Sequence, residues 1–93
     1  MESSTTNFSI TPHVVWIPDE GEVRLYDAES GQFQTLNATA AEIWLLLADG
    51  RTFDEIAAEM VRRYTADDPT KRHIVLRDVR RFLESLLSQG LVA

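Results

Sequence analysis

The side chains that most often perform chemistry are few in this sequence and are widely separated along it. His13 and His73 lie 60 residues apart, and the chain contains no cysteine. Because zinc needs three or four converging ligands, we expect no metal site and interpret both histidines as partly exposed. The absence of cysteine also removes disulfides and a thiolate nucleophile.

Neighbouring carboxylates occur at two places, residues 54–55 and 67–68. Both pairs fall at predicted helix starts, where acidic side chains cap the helix and interact favourably with its dipole. Adjacent residues on a helix do not face each other, so neither pair is a good acid–base pair. The four glycines fall at predicted turns and helix ends and form no phosphate-binding loop. We therefore predict a protein that is not an enzyme and that uses no cofactor.

The length and net charge of the chain narrow the classes of protein to which it can belong. A chain of 93 residues accommodates one domain, and it buries only about 60–65% of its unfolded surface, which leaves little room for a cofactor and a substrate together. Its net charge of −6 argues against a nucleic-acid partner, which requires a basic footprint. The longest apolar run, residues 43–48, is too short to span a bilayer, and the N-terminus lacks a signal peptide. These features predict a cytoplasmic protein with no membrane partner.

The first third of the chain has the pattern of three short strands. β-branched and aromatic residues at 13–17 predict the first strand, alternation at 22–27 predicts the second, and residues 33–36 form the third. Turn signals at 18–21 and 28–31 separate them. Strands joined by such short turns form an antiparallel meander, in which the first and third strands are the edges.

Two helices are predicted next. Asn37 and Thr39 are alternative N-caps for the first, and Thr39 with Glu42 fits a capping box. Gly50 ends this helix. Residues 52–55 form a second capping box, which opens the second helix.

The third helix is predicted to begin near a proline and to end at a glycine. Asp67 or Asp68 precedes Pro69, which suits the first helical position. Gly90 suits the C-terminal cap, and Leu91 is placed for the apolar contact that follows such a cap.

This order defines an α+β fold: a three-stranded antiparallel sheet followed by three helices, in a winged helix-turn-helix layout. Residues 1–12 are predicted to be a flexible N-terminal tail, anchored late by Phe8 or Ile10. Residues 13–93 are predicted to form the domain. Met1 and a C-terminus just past the Gly90 cap suggest a free-standing chain, and the alternative is a subunit or domain of a larger modifying enzyme.

The third strand is the first candidate for a binding surface. Residues 33–36 contain neither a charge nor a proline, which are the usual protection of an edge strand. An unprotected edge can accept an additional strand from a peptide, or from a second copy of the chain. The alternative is that its shortness alone protects this strand.

The third helix is the second candidate, because its apolar surface is wider than one packing partner requires. At 100° per residue, two apolar stripes lie about 80–120° apart. The stripes consist of Val75, Val79, Phe82 and Leu86, and of Leu76, Leu83 and Leu87. Either one stripe is open and forms a groove wall beside the third strand, or the helix is wedged between two neighbours.

Charge is also distributed unevenly along the chain. Residues 62–81 carry seven basic and three acidic residues, a local charge of +4, whereas the rest carries −10. The functional interpretation is a patch that steers an acidic or phosphate-bearing partner. The alternative is a solvated helix face with intrahelical ion pairs.

Several short motifs, taken in order, resemble the PqqD-like family of peptide-recognition proteins. They are Leu25-Tyr26-Asp27-Ala28-Glu29-Ser30-Gly31, Leu36-Asn37, Ile43-Trp44, Gly50-Arg51-Thr52, Asp78-Val79, Phe82-Leu83 and Gly90-Leu91. Each motif is weak alone, but their order and spacing are fairly specific, and the resemblance runs from Val14 to the C-terminus. It implies the same fold of three strands and three helices.

The resemblance also implies a function and a site. Relatives in this family are recognition elements for ribosomally made, post-translationally modified peptides, and they bind the leader segment of the precursor without catalysis. The leader adds as a strand to the third strand and packs against the third helix. Carried onto this chain, the implied peptide-binding residues are Phe33, Gln34, Thr35, Leu36, Arg72, Val75, Leu76, Val79, Arg80 and Leu83.

Within the family, residues 36–39 resemble the free-standing leader-binding proteins of lasso-peptide clusters. That resemblance implies three partners: the precursor peptide, a leader peptidase and a macrolactam-forming cyclase. One alternative is a peptide chaperone of the type found in pyrroloquinoline quinone biosynthesis.

Another alternative is a winged-helix DNA-binding regulator. In the usual motif the second helix of the helix-turn-helix enters the major groove. Here the front half of that helix carries Asp54, Glu55 and Glu59, which disfavour phosphate. Salt-sensitive DNA binding would distinguish this alternative.

Overall fold

The computed structural model describes residues 8–65 and 68–93. Their secondary-structure elements confirm the predicted α+β order of three strands followed by three helices. The elements are β1 (Val14–Asp19), β2 (Glu22–Asp27), β3 (Gln32–Leu36), α1 (Ala38–Ala48), α2 (Phe53–Tyr64), a short 3-10 turn (Pro69–Lys71) and α3 (Arg72–Ser88). Residues 1–7 and Asp67, on which parts of the predicted tail and of the third helix cap fall, lie outside the described residues.

The strands form an antiparallel sheet in the order β1-β2-β3, as the short turns predict. The prediction of a turn beginning at Pro18 was wrong, because β1 continues to Asp19. An edge strand tolerates proline, since some of its N–H groups need no partner. The turn is confined to Glu20 and Gly21, which both have positive φ, the geometry of a tight hairpin.

The first two helices have well-defined caps. The side chain of Asn37 accepts a hydrogen bond of 2.9 Å from the N–H of Ala40 and caps α1. The capping box predicted at Thr39 and Glu42 was therefore wrong, because both residues lie inside the helix. The box that opens α2 is confirmed: Thr52 N–H donates to Glu55 Oε1 (2.9 Å), and Glu55 N–H donates to Thr52 Oγ1 (3.2 Å).

The third helix begins later than predicted, at Arg72, because the segment that follows Asp68 forms a 3-10 turn. Its predicted end is confirmed. Gly90 has a φ of 75°, and Leu91 N–H donates to Leu86 O at 3.0 Å, which closes a Schellman motif. Leu91 is buried, as the motif requires.

The core lies between the inner face of the sheet and the three helices. Its largest fully buried side chains are Trp44, Ile56, Met60, Leu83 and Leu86, together with Val23 and Val79. Trp16 packs edge-on against Trp44, with ring centroids 6.3 Å apart. This packing fixes α1 and α3 relative to the sheet, and so fixes the walls of the surface clefts described below.

The two ends of the described chain pair with each other. Ser9 and Ala93 exchange two backbone hydrogen bonds of 2.9 Å, and Ile10 pairs with Val92. Phe8 and Ile10 pack against the core. The predicted division between tail and domain at residues 12 and 13 stays a prediction. In the part of the chain that the structure describes, no helix is long and apolar enough to cross a membrane.

Candidate functional site

Strand β3 is an open edge of the sheet. Among the described residues it pairs only with β2, as predicted for the last strand of a meander. Alternate side chains point to opposite faces: Leu36 is buried and Gln34 half-buried on the inner face, whereas Phe33 (80% exposed) and Thr35 lie on the outer face. The strand therefore offers backbone donors and acceptors to an additional strand.

A cleft of about 560 Å³, which we call the α1–α3 cleft, begins where β3 ends. It is lined by Asn37, Thr39, Ala40 and Ile43 of the α1 region, Met60 and Tyr64 of α2, Lys71, and Ile74, Val75, Asp78, Val79 and Phe82 of α3. Its floor is apolar because Ile43, Met60 and Val79 belong to the core. It can accept apolar side chains from an extended peptide.

At the other end of β3 lies a smaller and more polar cleft of about 150 Å³. Gln34 on β3 and Gln89 just beyond α3 both line it, and the Gln34 Nε2 amide donates to Gln89 Oε1 at 3.0 Å. This hydrogen bond connects the edge strand to the end of α3. A strand added alongside β3 would thus meet a polar cleft at one end and an apolar cleft at the other.

A network of charged and polar side chains holds one wall of the α1–α3 cleft. The Tyr64 hydroxyl donates to the carboxylate of Glu42, which also accepts from Arg63 at 3.0 Å. Arg63 donates in addition to Glu59 at 2.8 Å. The hydrogen bond to Glu42 raises the pKa of Tyr64, and the hydrogen bond to Glu59 raises the pKa of Arg63. At neutral pH both groups keep the protons that tie the end of α2 to α1.

The structure brings Val75 and Val79 to the α1–α3 cleft, but not the other predicted residues of α3. Arg72, Leu76 and Arg80 line a different cleft, between α2 and α3, and Leu83 is 1% exposed in the core. The reason is geometric: successive helical residues point about 100° apart, so Val75 and Leu76 do not face the same groove. The contact of any of these residues with a peptide stays a prediction.

The same geometry explains the wide apolar face of α3. The helix is wedged between neighbours, so Val79, Leu83 and Leu86 are buried and Val75 and Phe82 are half-buried against the core. The first stripe is therefore used in packing, whereas the second is covered only at Leu83: Leu76 is half-buried and Leu87 is 42% exposed. Sequence reasoning missed Ile74 and Tyr64 as lining residues of the α1–α3 cleft, since neither lies on a predicted groove-facing stripe.

The structure thus belongs to the class of small α+β domains with an open edge strand beside an apolar cleft. Residues 22–92 match the family described as coenzyme PQQ synthesis protein D (PqqD), and the chain belongs to this family. The resemblance found in the sequence is confirmed. A comparison with curated protein sequences finds no match.

Two solved structures are similar over almost the whole chain. TbiB1 in complex with the TbiA(beta) leader peptide is 32% identical, with a TM-score of 0.80, over 90% of this chain and 93% of that one. A lasso peptide synthetase B1 complexed with the leader peptide is 26% identical, with a TM-score of 0.78, over 95% of this chain and 99% of that one. Both relatives were solved with a leader peptide bound.

Proposed function

We propose that this protein binds the leader region of a ribosomally synthesised precursor peptide and performs no chemistry itself. The observation that carries the proposal is its similarity, at 32% identity over 90% of the chain, to a protein solved with its leader peptide. In this proposal the bound precursor is delivered to a leader peptidase and a macrolactam-forming cyclase, as in lasso-peptide biosynthesis. The second leader-bound relative, a lasso peptide synthetase B1, supports this assignment.

The leader binds by strand addition along β3. Backbone hydrogen bonds to residues 33–36 set the register of the peptide, because the outer edge of β3 is open. Side chains of an added strand alternate between the two faces of the sheet. Those on the inner face reach the α1–α3 cleft, where Val75 and Val79 form part of the wall on α3.

Charge plays a smaller part in leader binding than the basic segment 62–81 suggests. Of its seven basic residues, only Lys71 lines the α1–α3 cleft, and Asp78 lies in the same cleft. Lys71 is exposed and available to an acidic residue of the leader. Arg72, Leu76 and Arg80 line a different cleft, between α2 and α3, and their contact with the leader stays a prediction.

Titration of the protein into a fluorescein-labelled leader peptide tests the proposal. The first step is to search beside the gene for this protein for a short precursor gene, whose leader segment is synthesised; binding is followed by fluorescence anisotropy. We expect saturable one-to-one binding that an unlabelled copy of the peptide reverses and that a scrambled peptide does not. The absence of saturable binding, or equal binding of the scrambled peptide, contradicts the proposal.

A further inference from the structure

The cleft on the far side of α3 is a second surface built for a partner. It has a volume of about 450 Å³ and lies between α2 and α3. We call it the α2–α3 cleft, and its lining residues are Phe53, Asp54, Ala57, Ala58, Val61, Arg62, Arg72, Leu76 and Arg80. It shares no lining residue with the α1–α3 cleft, so the two clefts can be occupied at the same time.

The floor of the α2–α3 cleft is apolar. Val61 on α2 and Leu76 on α3 line it and are half-buried, and Phe53, which also lines it, packs against the core. Ala57 and Ala58 are small, which lets a partner backbone approach α2 closely. Apolar side chains of an occupant therefore gain contacts here that water does not provide.

The rim of the cleft is basic, although the protein as a whole carries a net charge of −6. Arg72 and Arg80 are exposed and stand one turn before and one turn after Leu76 on α3. Within residues 8–65 and 68–93, neither arginine lies within ion-pair distance of a carboxylate, whereas Arg62 is paired with Glu59. Asp54 is the single acidic residue among the lining residues. The two arginines are thus placed to receive carboxylates from outside.

We propose that the α2–α3 cleft binds an acidic amphipathic helix of a partner protein. A groove between two packed helices fits a third helix, whose apolar side chains fill the floor while its flanking carboxylates pair with the rim arginines. The 12 residues of α2 span about 18 Å, the length of a partner helix of about three turns. Nucleic acid fits less well, because an apolar floor offers nothing to a phosphate backbone. The proposal concerns a surface separate from the leader site and does not depend on leader binding.

Anisotropy titrations with synthetic helical peptides test this proposal on the full chain. The probe is a fluorescein-labelled peptide of about 14 residues with leucine at every third or fourth position and glutamate beside it. Its matched controls are a scrambled peptide, a version with lysine in place of glutamate, and a DNA duplex. We expect the acidic peptide to bind most tightly, and the affinity to fall as salt is added.

Variants that reverse the charge of the rim arginines test the proposal more sharply than the control peptides do. We expect the double variant Arg72→Glu/Arg80→Glu to weaken binding of the acidic peptide about tenfold and to strengthen binding of the lysine peptide. Val61→Asp, on the α2 wall of the cleft, should also weaken binding of the acidic peptide. The two arginines are exposed and Val61 is half-buried, and circular dichroism checks that each variant retains its fold.

Three results overturn the proposal: equal affinity for the scrambled peptide, an acidic-peptide affinity that neither variant changes, or tighter binding of the DNA duplex than of every peptide. Leader affinity, measured on the same samples, separates the two proposals. A protein that binds its leader but not the acidic helix refutes this inference alone, and a protein that binds the acidic helix but not its leader refutes the proposed function alone.

Discussion

Replacing Val75 by aspartate should strongly weaken leader binding without unfolding the protein. Val75 lies in the first turns of α3 and lines the α1–α3 cleft, where it is half-buried. Part of its side chain already faces water, so aspartate can direct its carboxylate outward in the free protein. The same carboxylate lies under the peptide in the complex, and Asp78, one turn further along the same cleft, adds a like charge.

The size of the effect follows from burial. Covering the exposed part of Val75, at most about a third of its surface, contributes about 0.5 kcal/mol to binding, and this contribution is lost in the variant. Covering the new carboxylate, even with Lys71 in the same cleft, costs about 1–3 kcal/mol more. The sum, about 2.5 kcal/mol, corresponds to a leader affinity about 70-fold weaker.

Anisotropy titration of the labelled leader peptide measures this loss. Leu87→Asp is the matched control, because Leu87 lies on the same helix, is 42% exposed and lines none of the three clefts. We expect Leu87→Asp to bind the leader within about twofold of the unmodified protein. The assignment of the binding face is refuted if Val75→Asp binds normally, or if both variants lose the same amount of affinity while circular dichroism shows both folded.

Three further predictions concern stability and the wall of the cleft. Hydrogen bonds from Arg62 and Arg63 lower the pKa of Glu59 below its ordinary value of 4.5. The contribution of Glu59 to stability is therefore present above pH 4.5 and is lost as the pH falls through the lowered pKa. Glu59→Gln should therefore melt below the unmodified protein at pH 7, and the difference between the two melting temperatures should shrink as the pH falls below 4.5 and through the lowered pKa. A difference that stays the same over this pH range would contradict the prediction. Gly90→Ala places a side chain at a φ of 75° and should lower the free energy of unfolding by about 1 kcal/mol. Calorimetry should show this as a fall in Tm of about 4–8 °C, and an unchanged Tm would contradict the prediction. Tyr64→Phe loses the hydrogen bond to Glu42 but keeps the aromatic ring, so leader affinity should fall only about threefold. Tyr64→Ala loses both, and leader affinity should fall about tenfold. Equal losses of affinity for the two variants would show that the ring is not part of the cleft wall.

Much of the fold follows from local patterns in the sequence. The alternation at 22–27 and the capping box at residues 52–55 each allow one local structure, and both are found in place. The errors fall where two local structures have similar free energies. Asn37 and Thr39 are both good caps, and Pro18 suits both a turn and an edge strand, so packing decides each case.

The candidate site is less accessible to sequence reasoning, because its walls come from distant parts of the chain. The open edge at β3 follows from strand order alone. The two apolar stripes of α3 are visible in the sequence, but which neighbour covers each stripe depends on how α1 and α2 pack. The contact between Glu42 and Tyr64 joins residues 22 apart on different helices, and no spacing rule predicts it.

Hydrogen–deuterium exchange of the protein, with and without its leader peptide, tests strand addition most directly. Backbone amides on the open edge of β3 lack a strand partner in the free protein and should exchange rapidly. Leader binding should slow exchange at amides within residues 33–36, with smaller changes along the α3 side of the α1–α3 cleft. If the leader binds saturably while exchange in β3 stays unchanged, the peptide does not add to this strand and the account is wrong.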